Sequence, residues 1–119
     1  MRLPKILTAV FYRKLDGFSP VRDWLKSLGK ADKKIIGADI HDVECYWPVG
    51  MPKVKYLQNR LWEVRSNVTE NKSARIFFTT KKENMVLLHG FFKKSRKTPQ
   101  KELDIALERK NDVFKGGGL

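Results

Sequence analysis

Three strand-like runs, set close together in the second half of the chain, constrain the fold more than any other feature. They are Leu61-Trp62-Glu63-Val64-Arg65-Ser66, Ala74-Arg75-Ile76-Phe77-Phe78-Thr79 and Met85-Val86-Leu87-Leu88-His89-Gly90-Phe91-Phe92. Each is rich in β-branched and aromatic residues, and each is of strand length. Polar connectors at 67–73 and around Glu83-Asn84 are too short for a crossover helix, so the runs must pair as antiparallel neighbours. Period two then places Trp62, Val64, Ile76 and Phe78 on one face, and Glu63, Arg65, Arg75, Phe77 and Thr79 on the other.

The first half supplies the elements that cover such a sheet. Lys5 to Tyr12 reads as a strand closed by Asp16-Gly17. Ser19-Pro20 is an N-cap followed by proline at the first helical position, and Val21, Trp24, Leu25 and Leu28 recur at helical spacing up to Gly29. From Asp32 a second helix carries Ile35, Ile36, Ile40 and Val43 as one stripe, and Trp47-Pro48-Val49-Gly50-Met51-Pro52 ends it as a loop. Thr98-Pro99 repeats the cap-plus-proline signal before a last helix carrying Leu103, Ala106, Leu107, Val113 and Phe114. The expected fold is α+β in the order β-α-α-β-β-β-α, with helices packed on one side of a mostly antiparallel sheet. One domain over residues 1–115 and a flexible glycine tail at 116–119 account for the 119 residues.

Charge narrows the partners. With 25 Lys+Arg against 13 Asp+Glu, the chain carries +12 and repels itself unless it meets a polyanion, which points to nucleic acid. The basic run Lys93-Lys94-Ser95-Arg96-Lys97 follows directly on the third strand, and Lys53 and Lys55 precede the first. Arg65 and Arg75, on neighbouring strands, suit a phosphate, because guanidinium forks match its oxygens. Their bland competitor is charge balance with Glu63 or Glu83 across the sheet. Phe77 shares the arginine face and is expected to stack a base, whereas Trp24, Trp47 and Trp62 lie in apolar patterns and read as core.

Other chemistries find little footing. The single cysteine, Cys45, excludes an intramolecular disulfide and a Cys-rich zinc framework and suits a reducing cytoplasm. Asp39, His41 and Asp42 lack a second histidine at ligand spacing, so neither metal nor other cofactor is expected. Cys45 has no glycine-rich elbow beside it, and no glycine loop of the phosphate-cradling kind is present. No apolar run approaches the ~20 residues needed to span a bilayer, so no membrane association is expected.

Taken in order, Val21-Arg22-Asp23-Trp24-Leu25, Trp47-Pro48-Val49-Gly50-Met51-Pro52, Leu61-Trp62-Glu63-Val64-Arg65, Ala74-Arg75-Ile76-Phe77-Phe78 and Leu87 to Ser95, with Lys97-Thr98-Pro99 and a helix reaching Arg109, resemble the phage-derived branch of the RelE/HigB toxin family. The resemblance covers most of the chain. It implies a RelE-like domain that acts as the toxin of a toxin–antitoxin module, an mRNA interferase. Such an endoribonuclease needs no metal, cleaves mRNA on the ribosome and inhibits translation. The implied partners are mRNA, the ribosome and a cognate helix-turn-helix antitoxin of the HigA kind, with operator DNA reached only through the toxin–antitoxin complex.

Metal-free cleavage by 2′-OH attack needs a base, fixed cations around the phosphorane, and an acid for the leaving 5′-oxygen. The family's basic positions match Arg65, Arg75 and Lys93-Lys94 here. The expected catalytic set is Arg65, Arg75, His89 and Lys94, with Lys53, Lys55, Phe77, Lys93, Arg96 and Lys97 binding RNA. His89 and Glu63 stand as alternative bases, and a hydrogen-bonded structural role for His89 stays open beside them. The best-known branch carries a tyrosine in its C-terminal segment, whereas the last tyrosine here is Tyr56. The alternative reading is a non-catalytic RNA- or DNA-binding or transcription-regulating protein of phage or mobile-element origin.

Overall fold

The computed structural model describes residues 4–119. Its elements are β1 (Thr8–Phe11), α1 (Pro20–Lys26), α2 (Lys30–Tyr46), β2 (Val54–Gln58), β3 (Leu61–Asn67), a 3-10 turn (Thr69–Asn71), β4 (Ser73–Lys81), β5 (Asn84–Lys93) and α3 (Gln100–Phe114). The five strands form one sheet in the order β1-β5-β4-β3-β2. Only β1 and β5 pair in parallel; the meander β2-β3-β4-β5 is antiparallel throughout. The expected α+β class and element order are present, with one strand more.

That extra strand is β2. Of its residues only Val54 is buried, and Lys55, Tyr56 and Gln58 are exposed. It is an edge strand, held by backbone pairing to β3 and turned by Asn59 and Arg60, both at positive φ. An edge strand needs no apolar alternation and tolerates lysine, so Lys53 and Lys55 read in sequence as a charged approach rather than as part of the sheet.

The expectation of helices on one side requires correction. Val21 of α1 and Ile36, Ile40 and Val43 of α2 bury one sheet face with Val64, Ile76, Phe78, Met85 and Leu87. The opposite face is also apolar, through Leu61, Phe77, Val86, Leu88 and Phe91, and α3 covers it with Ala106 and Val113. A bare second face of that composition would leave several large side chains in water, each costing about 1.5–3 kcal/mol; α3 crosses to prevent this.

A bulge in β5 shapes the α3 face. Phe77 pairs with His89 and Phe78 with Leu87, so Leu88 is the extra residue. The shift keeps His89 and Phe91 beside Phe77, with His89 stacked on Phe91 at 5.6 Å between ring centroids. On the other face Gly90 lets the Trp24 ring approach the backbone, since a Cβ there would lie 2.5 Å from Trp24 Cε3.

Three buried polar anchors join the layers. Asp32 at the start of α2 accepts from the Thr69 N–H (3.0 Å) and hydroxyl (2.6 Å) and pairs with Lys72 (2.9 Å). These bonds, that from Lys72 foremost, pull its carboxyl down to about 2. Glu44 accepts the Ala9 N–H at 2.7 Å and ties α2 to β1. The Tyr12 hydroxyl donates to Asp112 of α3 at 2.8 Å, and burial with this bond raises it to about 12. The terminal glycines, expected as a loose tail, fold back onto this third anchor. Gly118 accepts the Arg13 N–H at 2.9 Å and lies so close to the Tyr12 ring that a Cβ would sit 2.6 Å from it.

Candidate nucleic-acid interface

Register alone brings the two arginines together. Arg65 of β3 and Arg75 of β4 are directly opposite partners, and like charges so placed destabilise a sheet. One carboxylate lies between them: Glu63 Oε1 is 3.5 Å from Arg75 Nε and 3.8 Å from Arg65 Nε. Glu63 and Arg75 are buried, at 3% and 6% exposure, while Arg65 is half-buried. Arg75 Nη1 donates to Ser73 Oγ at 2.5 Å and to the Ala74 carbonyl at 3.1 Å, which fixes the guanidinium plane. Among the described residues, Arg65 Nε, Arg75 Nε and Glu63 Oε2 are buried without a hydrogen-bond partner. Burial first, and Arg65 in addition, lowers the Arg75 pKa from its ordinary value, against the pull of Glu63. The trio keeps a net positive charge that the interior does not compensate.

Two depressions meet at Arg75. One, of about 500 Å³, is lined by Ser73, Arg75, Lys93, Lys94, Ser95 and Arg96. The other, of about 420 Å³, is lined by Ile35, Asp39, Pro52, Lys53, Arg65, Asn67 and Arg75. The basic loop after β5 reaches the arginines because Lys93 pairs with Ser73 at the end where β4 begins, two residues before Arg75. Arg65, Arg75, Lys93, Lys94 and Arg96 thus form one cationic strip, and Lys97 continues it in the exposed loop, where its carbonyl accepts from Ser95 Oγ.

The remaining expected site residues lie off the strip. Phe77 is fully buried beneath α3, so its ring cannot stack on a base; the parity that put it on the arginine face was right, but α3 covers that end. Lys53 is held by Asp42 at 2.6 Å and Asp39 at 3.0 Å, and the hydrogen bond to Asp42 raises its pKa. Its charge is therefore already compensated, unlike that of the strip. Lys55 is exposed on the edge strand opposite Glu63.

His89 sits one row along the same face and is engaged on both ring nitrogens. Nε2 lies 3.0 Å from Glu102 Oε2, and Nδ1 lies 3.4 Å from Arg109 Nη1, which also donates to the Leu88 carbonyl at 2.8 Å. A guanidinium only donates, so Nδ1 accepts and the proton belongs on Nε2, pointing to Glu102. Burial lowers the His89 pKa, and Glu102 opposes the shift. The imidazole joins β5 to α3 rather than lining either depression.

Glu102 and Arg109 were missed as partners of His89. They are 13 and 20 residues away in sequence, and only the crossing of α3 brings them to it. Asp39 was missed at the second depression because only the packing of α2 against the sheet brings it there, and Asn67, two residues beyond Arg65 on β3, carried no signal of its own. Among the described residues no group of three or more His, Cys, Asp or Glu side chains is gathered to hold a metal, and no helix is long and apolar enough to cross a membrane.

Residues 23–111, about three quarters of the chain, match the family model described as Phage derived protein Gp49-like (DUF891). The chain belongs to this family. The Gp49-like segment runs from α1 to within α3 and contains every residue of the cationic strip. No curated protein matches the chain.

Proposed function

We propose that this Gp49-like protein is the toxin of a toxin–antitoxin module, an endoribonuclease of the RelE/HigB kind that cleaves mRNA on the ribosome and so inhibits translation. The observation that carries the reading is the opposed pair of half-buried Arg65 and buried Arg75, sharing one carboxylate, with Arg75 opening to a groove lined by Lys93, Lys94 and Arg96. A sheet gains no stability from two facing guanidiniums; a phosphate between them is the ligand that such an arrangement fits. Local arrangements that break a folding rule are where function is expected.

In the proposed reaction the 2′-OH gives its proton to water in the open groove and attacks the adjacent phosphorus, the bond to the 5′-oxygen breaks, and a 2′,3′-cyclic phosphate remains. Arg65 and Arg75 hold the non-bridging oxygens as charge builds on them in the phosphorane, from rigid strands that need no reorganisation. Lys93, Arg96 and Lys97 carry flanking phosphates, and Lys94 delivers a proton to the leaving oxygen. Glu63 sets the angle of both guanidiniums and keeps them from repelling each other out of the site. The partners on this reading are mRNA, the ribosome and a small helix-turn-helix antitoxin of the HigA kind, with operator DNA bound only by the complex of the two proteins.

A non-catalytic RNA-binding role has one observation on its side, the commitment of His89 to Glu102 and Arg109 away from the groove. Inducible expression of the wild type, Arg75→Ala and Arg65→Ala in a bacterial host, with growth followed and mRNA 5′ ends mapped, separates the two. Growth arrest with new in-frame ends for the wild type alone supports the nuclease. Soluble wild type that binds RNA but produces neither arrest nor new ends overturns it in favour of the binding role.

A further inference from the structure

The depression on the far side of the arginines has a lining that phosphate binding leaves unused. It exists because the edge strand stops short. β2 begins at Val54, opposite Val64, and its pairing ends where the Arg65 N–H donates to the Lys53 carbonyl at 2.8 Å. β3 runs on through Asn67 without an edge partner, and α2 closes the gap with Ile35 and Asp39, one helical turn apart. Ile35 and Pro52 provide apolar wall, while Asp39, Lys53 and Asn67 provide polar groups. The volume of about 420 Å³ lies in the roughly 300–1,000 Å³ range of small-ligand sites.

We propose that this depression is a nucleobase subsite that selects guanine, on the nucleotide whose phosphate lies on Arg65 and Arg75. The inference rests on the reading of the strip as an RNA site. A planar, half-apolar ring needs apolar wall and a few edge contacts. The polar edge available is a carboxylate beside an ammonium: Asp39 Oδ1 is 3.0 Å from Lys53 Nζ, and Asp42 holds that ammonium at 2.6 Å from its other side. A carboxylate has about four lone-pair positions, so one ion pair does not exhaust Asp39.

Guanine alone offers two adjacent donors, N1–H and the N2 amino group, next to an acceptor, O6. Asp39 accepts both donors and Lys53 serves O6. Adenine and cytosine present one amino donor beside a ring acceptor, and uracil presents one N–H between two carbonyls, so each leaves part of the carboxylate unmatched. The same pairing gives Lys53 its role: it reads a base edge, which explains why its charge is already compensated while those of the strip are not. Polar groups left unmatched by the wrong base are what make discrimination steep.

The test is fluorescence anisotropy with four labelled nine-nucleotide RNAs, all uridine except for a central G, A, C or U. Each carries a 2′-deoxy sugar immediately 5′ of the centre to remove the attacking hydroxyl. Wild type is expected to bind the G-centred RNA about tenfold more tightly than the others, the size of one good bidentate contact. Asp39→Asn is expected to bring the four within twofold of one another, whatever it does to the affinity common to all four, and Lys53 keeps Asp42 as its partner. Equal wild-type affinity for all four, with Arg75→Ala weakening each, overturns the base subsite and leaves the RNA site standing. A guanine preference that survives Asp39→Asn overturns the assignment to Asp39. Binding of none of the four at low salt overturns the RNA reading beneath both.

Discussion

Arg65 and Arg75 face each other across β3 and β4, and the Glu63 carboxylate that separates them lies 3.5 Å from one Nε and 3.8 Å from the other. Those distances define an ion pair without a full hydrogen bond. The two guanidiniums are oriented but not satisfied, which leaves their remaining N–H groups for an anion.

Removing either fork is expected to weaken RNA binding and abolish cleavage. Arg75→Lys keeps the charge and loses the planar donors, so a cleavage loss of about 100-fold is expected, as for removal of one donor from an oxyanion site. Binding is expected to be salt-dependent: with Arg65, Arg75, Lys93, Lys94 and Arg96 engaged, log affinity plotted against log salt is expected to have a slope of about −3.5 for single strands. Lys94→Ala is expected to make that slope shallower by a fraction of a unit. Anisotropy titrations at several salt concentrations measure both.

Glu63→Gln leaves two neighbouring guanidiniums with no carboxylate. Breaking a buried pair in this way costs about 3–5 kcal/mol. The variant is expected to melt well below the wild type, and added sulfate or phosphate is expected to recover more of its melting temperature than of the wild type's, because the anion takes the place of the lost charge. Differential scanning fluorimetry with and without the anion is the measurement. Equal anion response in the two proteins contradicts this account of Glu63.

Asp32 anchors α2 to the β3–β4 connection, and its carboxyl is held down at about 2. A depressed acid contributes stability above its unfolded value near 4 and loses it as pH falls through the folded value. Thermal melts from pH 7 to pH 2 are therefore expected to show a steeper acid loss for the wild type than for Asp32→Asn between about pH 4 and pH 2. At neutral pH the variant is expected to melt about 5 °C or more lower, from the lost bonds to Thr69 and Lys72.

His89 shows the same sign in a higher pH range. Burial lowers its pKa, so the unfolded chain takes up the proton first, and stability falls as pH drops below the ordinary histidine value near 6.5. A proton added at Nδ1 also meets the Arg109 guanidinium. His89→Gln is expected to flatten the wild type's loss of melting temperature between pH 7.5 and pH 5.5, while changing cleavage at pH 7.5 less than Arg75→Ala does. A cleavage loss equal to that of Arg75→Ala returns His89 to the chemistry.

The parity of β3 and β4 was readable because side-chain alternation is a local property of extended backbone. Trp62, Val64, Ile76 and Phe78 share one face as expected, and Arg65 and Arg75 share the other. The cationic strip was readable for a similar reason: Lys93 to Lys97 follows β5 directly, and an antiparallel hairpin returns its end to the start of β4. β2 escaped because an edge strand is held by main-chain bonds, which leave no apolar pattern.

By itself, then, the sequence determined the meander, the order of the elements around it, the placing of two arginines on one face of neighbouring strands and the positive charge beside them. Each follows from local periodicity, short turns or composition. Only the tertiary structure decided that α3 crosses to the second face, burying Phe77 and binding His89 through Glu102 and Arg109. It likewise decided that α2 brings Asp39 to Lys53 beside the arginines. Those outcomes depend on where distant segments settle to cover apolar surface and compensate charge, and no local pattern in the chain encodes that placement.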